Sequence, residues 1–596
     1  MPRTTATASQ RSSSKRSASQ PPVSSALILQ LFLLTLASSV LLPLALPNEF
    51  VGGAARLLGL KPDESFYWGN ALVGLVCIVP VIVAIVRAPS FKIASWMGVV
   101  FGAVSTALSS FWLIYFQGFT VWTYGGTILG YCGYNALLFP FLRGLARIGG
   151  TRYRPFLLAI GWCVYEYFKS IGFLGYPWGL VAYPVGNVLP LIQFVDITGV
   201  WGLSLLMALI NAVIAELAMS GWRPAWRATG RRAPVPAALG QAAFVVILVA
   251  GALVYGAVRM SVPIPAEKSA NLLMIQQNTD PWGGGNGKAA ESSMDVNIGL
   301  TASAVATLAA DAPPRKPDLA IWSESSVSSV GVNLDGSYYP RQNQLVPGIQ
   351  RGGVPVLFGG VVIVDLDKQA FWNAAVLADA NGKVVDTYGK MHPVPFAESI
   401  PFYELEPVRL FFRNVVGIWN PWVTGTRHTV FRTPLAGGGT LAFGVPICFE
   451  DAFSDLCRQY LLDGADMLVN ITNDSWSRTW SSEIQHFQVA RFRAIENRRV
   501  LVRSTNGGLS AVVDPWGVIR VRMPFFERTW RDVQVPVYKE KSLTPYTRFG
   551  DWLPQCLAAL VLIVLVMDVL LKKKRSSVDD LLLHSPAGIT SSRDLL

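Results

Sequence analysis

Three short motifs in this chain carry residue types suited to covalent acyl transfer. Cys448 lies in Val445-Pro446-Ile447-Cys448-Phe449-Glu450, Glu324 in Ile321-Trp322-Ser323-Glu324, and Lys390 in Tyr388-Gly389-Lys390-Met391-His392. An acyl-enzyme needs a nucleophile with a potent anion, a base to take its proton, and a cation or N–H group facing the developing oxyanion. A thiol, a carboxylate and an ammonium meet those needs. Each alone has an ordinary reading: a cysteine fills cores, a glutamate caps helices, a lysine is solvated. The combination and its placement carry the inference.

Placement follows from the elements expected around the three residues. Glu324 follows the run Leu319-Ala320-Ile321-Trp322, Lys390 follows Val384-Val385-Asp386-Thr387-Tyr388, and Cys448 follows Leu441 to Ile447. Residues just past strand ends collect at one edge of a sheet, where sites commonly form. Apolar runs predict strands over 271–275, 318–322, 355–364, 373–378, 384–388, 440–447, 467–472 and 500–504, and helices over 289–310, 452–463 and 482–498. In the last helix Ile484, Phe487, Phe492 and Ile495 recur as one apolar face. Strands alternating with helices argue for a layered α/β or α+β domain of about 300 residues.

The rest of the chain reads as membrane. Of 596 residues 51% are hydrophobic and 15% charged, with a mean hydropathy of +0.38, too apolar for a soluble multidomain protein. The 19 Trp suit interfacial belts. Runs of about 20 apolar residues, the length of a bilayer-crossing helix, lie near 25–47, 67–87, 93–117, 121–142, 155–175, 191–219, 239–260 and 552–571. Basic clusters alternate with them: Arg3, Arg11, Lys15 and Arg16; Arg87 and Lys92; Arg143, Arg147, Arg152 and Arg154; Arg223, Arg227, Arg231 and Arg232; Lys572 to Arg575. By the positive-inside rule, eight spans with both termini inside put every cluster on the cytoplasmic side and the large domain outside. The formal charge of +12 is then a consequence of topology and implies no nucleic-acid partner. The first span reads as a retained anchor, its run closed by Pro43 and Pro47 without a small-x-small cleavage site.

Cysteine and histidine usage narrows the chemistry. Cys77, Cys132, Cys163 and Cys556 fall in expected spans, and only Cys448 and Cys457 belong to the outer domain. A disulfide between those two is one reading; the other puts Cys457 in the following helix, pointing away. His392, His428, His486 and His584 show no metal-ligand spacing, so no metal is implied.

These motifs resemble the nitrilase superfamily, and the chain over nearly its full length is similar to its membrane-bound branch, the apolipoprotein N-acyltransferase family. In the outer domain the resemblance rests on Trp322-Ser323-Glu324, Lys390 through Glu398, Ile447-Cys448-Phe449-Glu450, Asn470 through Trp476, Gln485-His486 through Arg498, and Thr505 through Ala511. In the membrane part it rests on Gly175-Tyr176-Pro177-Trp178, Ile192-Gln193 and Thr198 through Ser204.

The resemblance implies an extracytoplasmic nitrilase-like α-β-β-α sandwich on an integral bundle of about eight transmembrane helices. The expected divisions are a disordered basic tail (1–24), a seven-helix membrane domain (25–262), the catalytic domain (268–540), a last span (552–571) and a cytoplasmic tail (572–596). It also implies a multi-pass protein of the bacterial inner membrane, monomeric, that moves a fatty acyl chain from a phospholipid to the N-terminal amine of diacylglyceryl-cysteine on an apolipoprotein. The cycle is ping-pong through a Cys448 thioester, with Glu324 as acid-base, Lys390 at the oxyanion, and no cofactor. Glu398 is expected to hold Lys390, with Phe449, Glu450 and Glu496 as supporting residues; an ordinary helix salt bridge is the other reading of Glu496. Trp282 and Trp476 are candidates for the substrate channel or simply buried aromatics. Phe449 stands where the family often has Tyr, Ser399 where it has an aromatic, and Ser477 where it has Phe.

Between Lys390 and Cys448 an irregular stretch holds Phe402, Tyr403, Leu410, Phe411, Phe412, Val415, Trp419 and Trp422 among Arg409 and Arg413. That mixture suits a mobile lid in the headgroup region, with Phe411 and Phe412 touching lipid; a buried cluster under a long loop is its alternative. Three rival functions remain on the residues: a tethered amidase, a transporter with an accessory domain, and an inactive lipoprotein-binding scaffold. The aromatic stretch and the membrane platform speak against the first. Scattered Glu166, Asp196 and Glu216 without internal symmetry speak against the second, and the intact triad against the third.

Overall fold

The computed structural model describes residues 24–57, 67–116, 121–221, 235–282, 292–416, 422–538 and 542–583. The membrane part comprises α1 (Ser25–Ala45), α2 (Phe50–Leu57), α3 (Ala71–Gly74), α4 (Val79–Arg87), α5 (Phe91–Ser109), α6 (Gly126–Ser170), α7 (Leu189–Ile192), α8 (Val195–Thr198), α9 (Val200–Gly221) and α10 (Val235–Ser261). The second domain adds α11 (Ser293–Ala309), α12 (Leu345–Gly352), α13 (Glu406–Phe411), α14 (Ser454–Leu462), α15 (Trp480–Asn497) and α16 (Pro545–Phe549), and α17 (Trp552–Leu583) returns to the membrane part. Five helices among the described residues, α1, α5, α9, α10 and α17, are long and apolar enough to cross a bilayer. The outer faces of α10 and α17 expose Val246, Ile247, Leu562 and Val569, as lipid-facing helices do.

Several expected spans take a different form. The run 67–87 breaks into α3 and α4, with Pro80 in the first turn of the second. The buried Asn211 of α9 repairs the break: its amide donates to Gly74 O at 3.0 Å and its oxygen accepts from Ile78 N–H at 3.1 Å. The runs 121–142 and 155–175 become the single helix α6, kinked at Gly150, where φ is 53°. In place of one helix over 191–219 there are α7, α8 and α9, with Gly199 at φ 65° before α9. Helix α17 overruns its expected end at 571, and an Asp568–Lys572 pair at 2.6 Å bridges its turns there. The expected tails over 1–23 and 584–596, the 289–291 helix start and Trp419 lie outside the described residues.

Among the described residues fourteen strands form two sheets: β1 (Ala266–Gln276), β2 (Leu319–Ile321), β3 (Val327–Asn333), β4 (Tyr338–Tyr339), β5 (Val356–Asp365), β6 (Ala370–Ala378), β7 (Val384–Gly389), β8 (Val430–Pro434), β9 (Thr440–Gly444), β10 (Met467–Thr472), β11 (Leu501–Thr505), β12 (Ala511–Val513), β13 (Ile519–Arg522) and β14 (Thr529–Tyr538). The first runs β14-β1-β2-β5-β3-β4, with β6 also on β5 and β7 on β6; the second runs β13-β12-β11-β10-β9-β8. Their centres, β1-β2-β5 and β9-β10-β11, are parallel. Alternation along β1 sorts the layers. Leu272 and Met274 share a core with Phe443, Val469, Ile471 and Val502 of the second sheet. Leu273 and Ile275 pack on the other face with Met294 and Ile298 of α11 and Leu345 and Ile349 of α12.

Helix α15 joins the two parts of the molecule. Thr479 caps its start and Arg498 ends it at φ 51°. The expected single apolar face is in fact two. Ile484 and Phe487 enter the core of the catalytic domain, whereas Phe492 and Ile495 pack with Tyr183, Val195 and Val200 of the membrane part.

Candidate active site

Strand ends deliver the three motifs to one place. Past β2, Glu324 is followed by Ser325 at φ 56°, and the backbone of β5 presses so closely on it that a Cβ on Gly359 would stand 2.5 Å from Glu324 Cα. Past β7, the Lys390 N–H is fixed by Asn373 O of β6 at 2.8 Å. Past β9, the extended segment 445–447 bridges to Ile471 of β10, then turns into a 3-10 segment, Cys448–Ala452, with Cys448 at φ 50°. A non-glycine residue in the left-handed region is strained, and such strain persists only where the surroundings over-determine it.

Those surroundings are a polar lattice. Lys390 Nζ lies 3.2 Å from Glu324 Oε1 and 2.8 Å from Glu398 Oε2. Asn373 Nδ2 donates to both carboxylates, at 2.8 and 3.0 Å. Glu324 Oε2 accepts from Asn473 N–H at 3.0 Å, and Glu398 Oε2 from Val394 N–H at 2.7 Å. Burial alone would depress the Lys390 ammonium, but the carboxylates of Glu324 and Glu398 hold it well above the usual lysine range. Burial pushes the Cys448 thiol well up; the Glu324 charge adds to this and the Lys390 charge opposes it.

Glu450 bolts two of the motifs together. Its Oε1 accepts from Tyr388 OH (2.8 Å), Met391 N–H (2.7 Å) and His392 N–H (2.9 Å), and its Oε2 from Ile447 N–H (2.7 Å). Burial raises this carboxyl to about 7 against the pull of those donors. Beside it, the His486 ring spans Asp474 Oδ1 (2.8 Å) and Asp451 Oδ1 (2.9 Å), and Arg503 Nη2 donates to Asp474 Oδ2 at 2.7 Å. Burial disfavours the imidazolium, yet the two aspartates outweigh it and raise its pKa to about 10.

The remaining candidates scatter around this centre. Phe449 stacks on Trp178 with centroids 5.5 Å apart and planes at 15°. Trp282 donates its indole N–H to Trp476 O at 3.0 Å, and both rings contact Phe116 at 5.3 Å. Phe411 meets Trp122 at 5.8 Å and Phe412 lies parallel to Phe396 at 6.3 Å. The stretch that carries them forms α13 and the π-turn Phe412–Val416. Glu496 stands apart from the catalytic cluster: it pairs with Arg493 at 3.1 Å and accepts from Val200 N–H at 2.9 Å, on the seam with the membrane part. Cys457 lies in α14 as a free thiol and donates to Glu450 O at 3.6 Å.

Asn373, His486, Asp451, Asp474, Arg503 and Trp178 were not singled out as site residues from sequence. Asn373 and Arg503 do leave a trace, as polar residues inside otherwise apolar strand runs.

The arrangement is that of a carbon-nitrogen hydrolase domain carried on membrane helices. The carbon-nitrogen hydrolase profile matches residues 349–539, and that of the apolipoprotein N-acyltransferase N-terminal domain matches 52–213. Apolipoprotein N-acyltransferase 2 of Treponema denticola is 38% identical over 86% of this chain and 95% of its own. Its namesake in Treponema pallidum is 35% identical over 87% and 91%, and apolipoprotein N-acyltransferase of Borreliella burgdorferi 30% over 89% and 94%. The chain belongs to the apolipoprotein N-acyltransferase family and is an acyltransferase.

Proposed function

We propose that this enzyme moves a fatty acyl chain from a phospholipid to the α-amine of a diacylglyceryl-cysteine at a lipoprotein N-terminus, through a thioester on Cys448. Glu324 takes the thiol proton as Sγ attacks the ester carbonyl, and Lys390 faces the oxyanion together with a backbone N–H beside the nucleophile. The tetrahedral adduct expels the glycerol alkoxide, which leaves as lysophospholipid with the proton from Glu324. In the second half the amine attacks the thioester, Glu324 accepts its proton, and collapse releases the amide and restores the thiol. Glu398 and Asn373 fix the ammonium and the base, and Glu450 fixes the nucleophile's turn. Lipid would enter beneath the segment of Phe411 and Phe412, past Trp282 and Trp476. The protein is read as a monomer with eight spans, both termini cytoplasmic, and an α-β-β-α catalytic domain on the outer face of the bacterial inner membrane.

The observation that carries this reading is the Glu324–Lys390–Glu398 cluster around a strained cysteine, on a domain whose Phe449 and Phe453 are part of the membrane platform's own core. Such a thiol is built for lipid at the bilayer surface. The test is transfer itself: purified protein, labelled phospholipid and a diacylated lipopeptide should yield one triacylated peptide per lysophospholipid. Cys448→Ser should yield none. Lysophospholipid release by the serine variant at the wild-type rate would contradict the assignment.

A further inference from the structure

We propose that Glu166 and Lys169, inside the membrane platform, are positioning residues for the Cys448 nucleophile and act through Trp178. The inference rests on the acyl-transfer reading above. The two side chains lie one turn apart on α6, and each residue is almost fully buried, at 1% and 4% exposure. Charges at such a place are expensive, and are retained where they do something an apolar residue cannot.

Both groups reach the loop that carries Trp178, and each also has a partner on α6, Tyr131 OH for Lys169 at 3.4 Å and Trp162 for Glu166. Lys169 Nζ donates to the Trp178 carbonyl at 2.5 Å. Glu166 Oε1 accepts from Val181 N–H at 2.9 Å and from Trp162 Nε1 at 3.0 Å. Residues 175–180 have no helix or strand of their own, so their shape must be imposed from outside. An ammonium and a carboxylate impose it more firmly than neutral groups, because hydrogen bonds to charged groups are stronger in a low-dielectric setting.

What the loop presents is the Trp178 indole. It stacks on Tyr176 at 5.0 Å and 8°, on Phe449 at 5.5 Å and 15°, and meets the His486 ring at 5.4 Å. Three parallel rings, Tyr176, Trp178 and Phe449, thus run from the platform to the residue next to the nucleophile. Cys448 sits at φ 50° and needs support on both sides. Glu450 supplies it from the catalytic domain, and the ring stack supplies it from the membrane. Phe449 contributes only ring faces here, so the missing hydroxyl costs this contact nothing.

The experiment uses the full chain in nanodiscs and follows acylation of Cys448 by labelled phospholipid, per folded molecule. Glu166→Ala and Lys169→Met should slow acylation at saturating lipid by about tenfold to a hundredfold, the size expected when a reacting group is displaced by an ångström. The lipid concentration giving half-maximal rate should stay unchanged. Glu166→Gln should restore most of the rate, since an amide oxygen still accepts from Val181. The double variant Glu166→Ala/Trp178→Leu should be no slower than Trp178→Leu alone. Trp178→Phe, which keeps a stacked ring, against Trp178→Leu, which does not, carries the same test without disturbing a buried charge. Wild-type rates in folded Glu166→Ala, additive losses in the double variant, or equal rates in the two Trp178 variants would overturn the positioning role. Absence of Cys448 acylation in the wild type would instead overturn the reaction assigned to the site, and this inference with it.

Discussion

The Cys448 thiol rests in surroundings that favour its neutral form, since burial and the nearby Glu324 outweigh the pull of Lys390. On the proposed mechanism, attack and deprotonation therefore occur together, with Glu324 of the same cluster as the base. His486 illustrates a second residue-scale device, an imidazolium locked between Asp451, on the nucleophile's turn, and Asp474, next to the Asn473 N–H that holds Glu324. Its folded pKa of about 10 lies above the ordinary 6.5. The stabilisation it gives is thus full below about pH 6.5 and fades as pH rises through about 10. Thermal unfolding of wild type against His486→Gln should show a gap that narrows steadily as pH is raised over that window; a gap constant with pH would contradict the locked cation. That Glu324, Lys390 and Cys448 meet was legible because each follows an apolar strand run, whereas Glu398 was reached only through the family resemblance. The role of His486 was not legible, because its partners lie 35 and 12 residues away and only folding brings them together.

Among the elements, the longer apolar strands were legible, whereas the three-residue β12 and the more polar strands were not. β5, β6 and β10 are largely buried, whereas β3 and β13 mix buried or half-buried with exposed residues and carry Ser or Arg. Strands of that kind are set by their neighbours more than by their own composition. The segment between Lys390 and Cys448 behaves likewise: α13 is a short helix starting at a Pro-containing turn, and it and its flanks expose Phe396, Phe402, Leu410, Phe411 and Val415. In the proposed function these apolar side chains are a contact surface for lipid. Phe411→Ser with Phe412→Ser should lower the rate of acyl-enzyme formation at low lipid content about tenfold, a fraction of the transfer free energy of two Phe side chains. An unchanged rate in the folded double variant would remove the lid from the account.

At the scale of the molecule, the catalytic domain and the membrane part are welded rather than tethered. Arg498 donates to Asp196 Oδ2 at 2.9 and 3.0 Å, to Gln193 Oε1 at 2.6 Å and to Gln193 O at 2.8 Å, while Asp196 also meets Arg259 at 3.2 Å and Tyr255 OH at 2.8 Å. Two motifs three hundred positions apart, Ile192-Gln193 and Glu496-Asn497-Arg498, turn out to be the two sides of one seam. Sequence displayed both motifs but not their meeting, and the same holds for the broken α3–α4 pair, whose repair by Asn211 is invisible in a hydropathy profile. Arg498→Met should cost about 1.5–3 kcal/mol, because it removes the buried guanidinium from Asp196 and leaves that carboxylate only the part-exposed Arg259 and Tyr255 OH. The cost, read by thermal unfolding, should shrink when Asp196 is already Asn; an equal loss in both backgrounds would contradict the coupling. If lipid acyl chains pass through Cys448, the mass of the Cys448 peptide reports it after incubation with phospholipid alone. A single added acyl group, sensitive to hydroxylamine and discharged as an amide by a diacylated lipopeptide, is the predicted result; transfer that proceeds with Cys448 never acylated would contradict it.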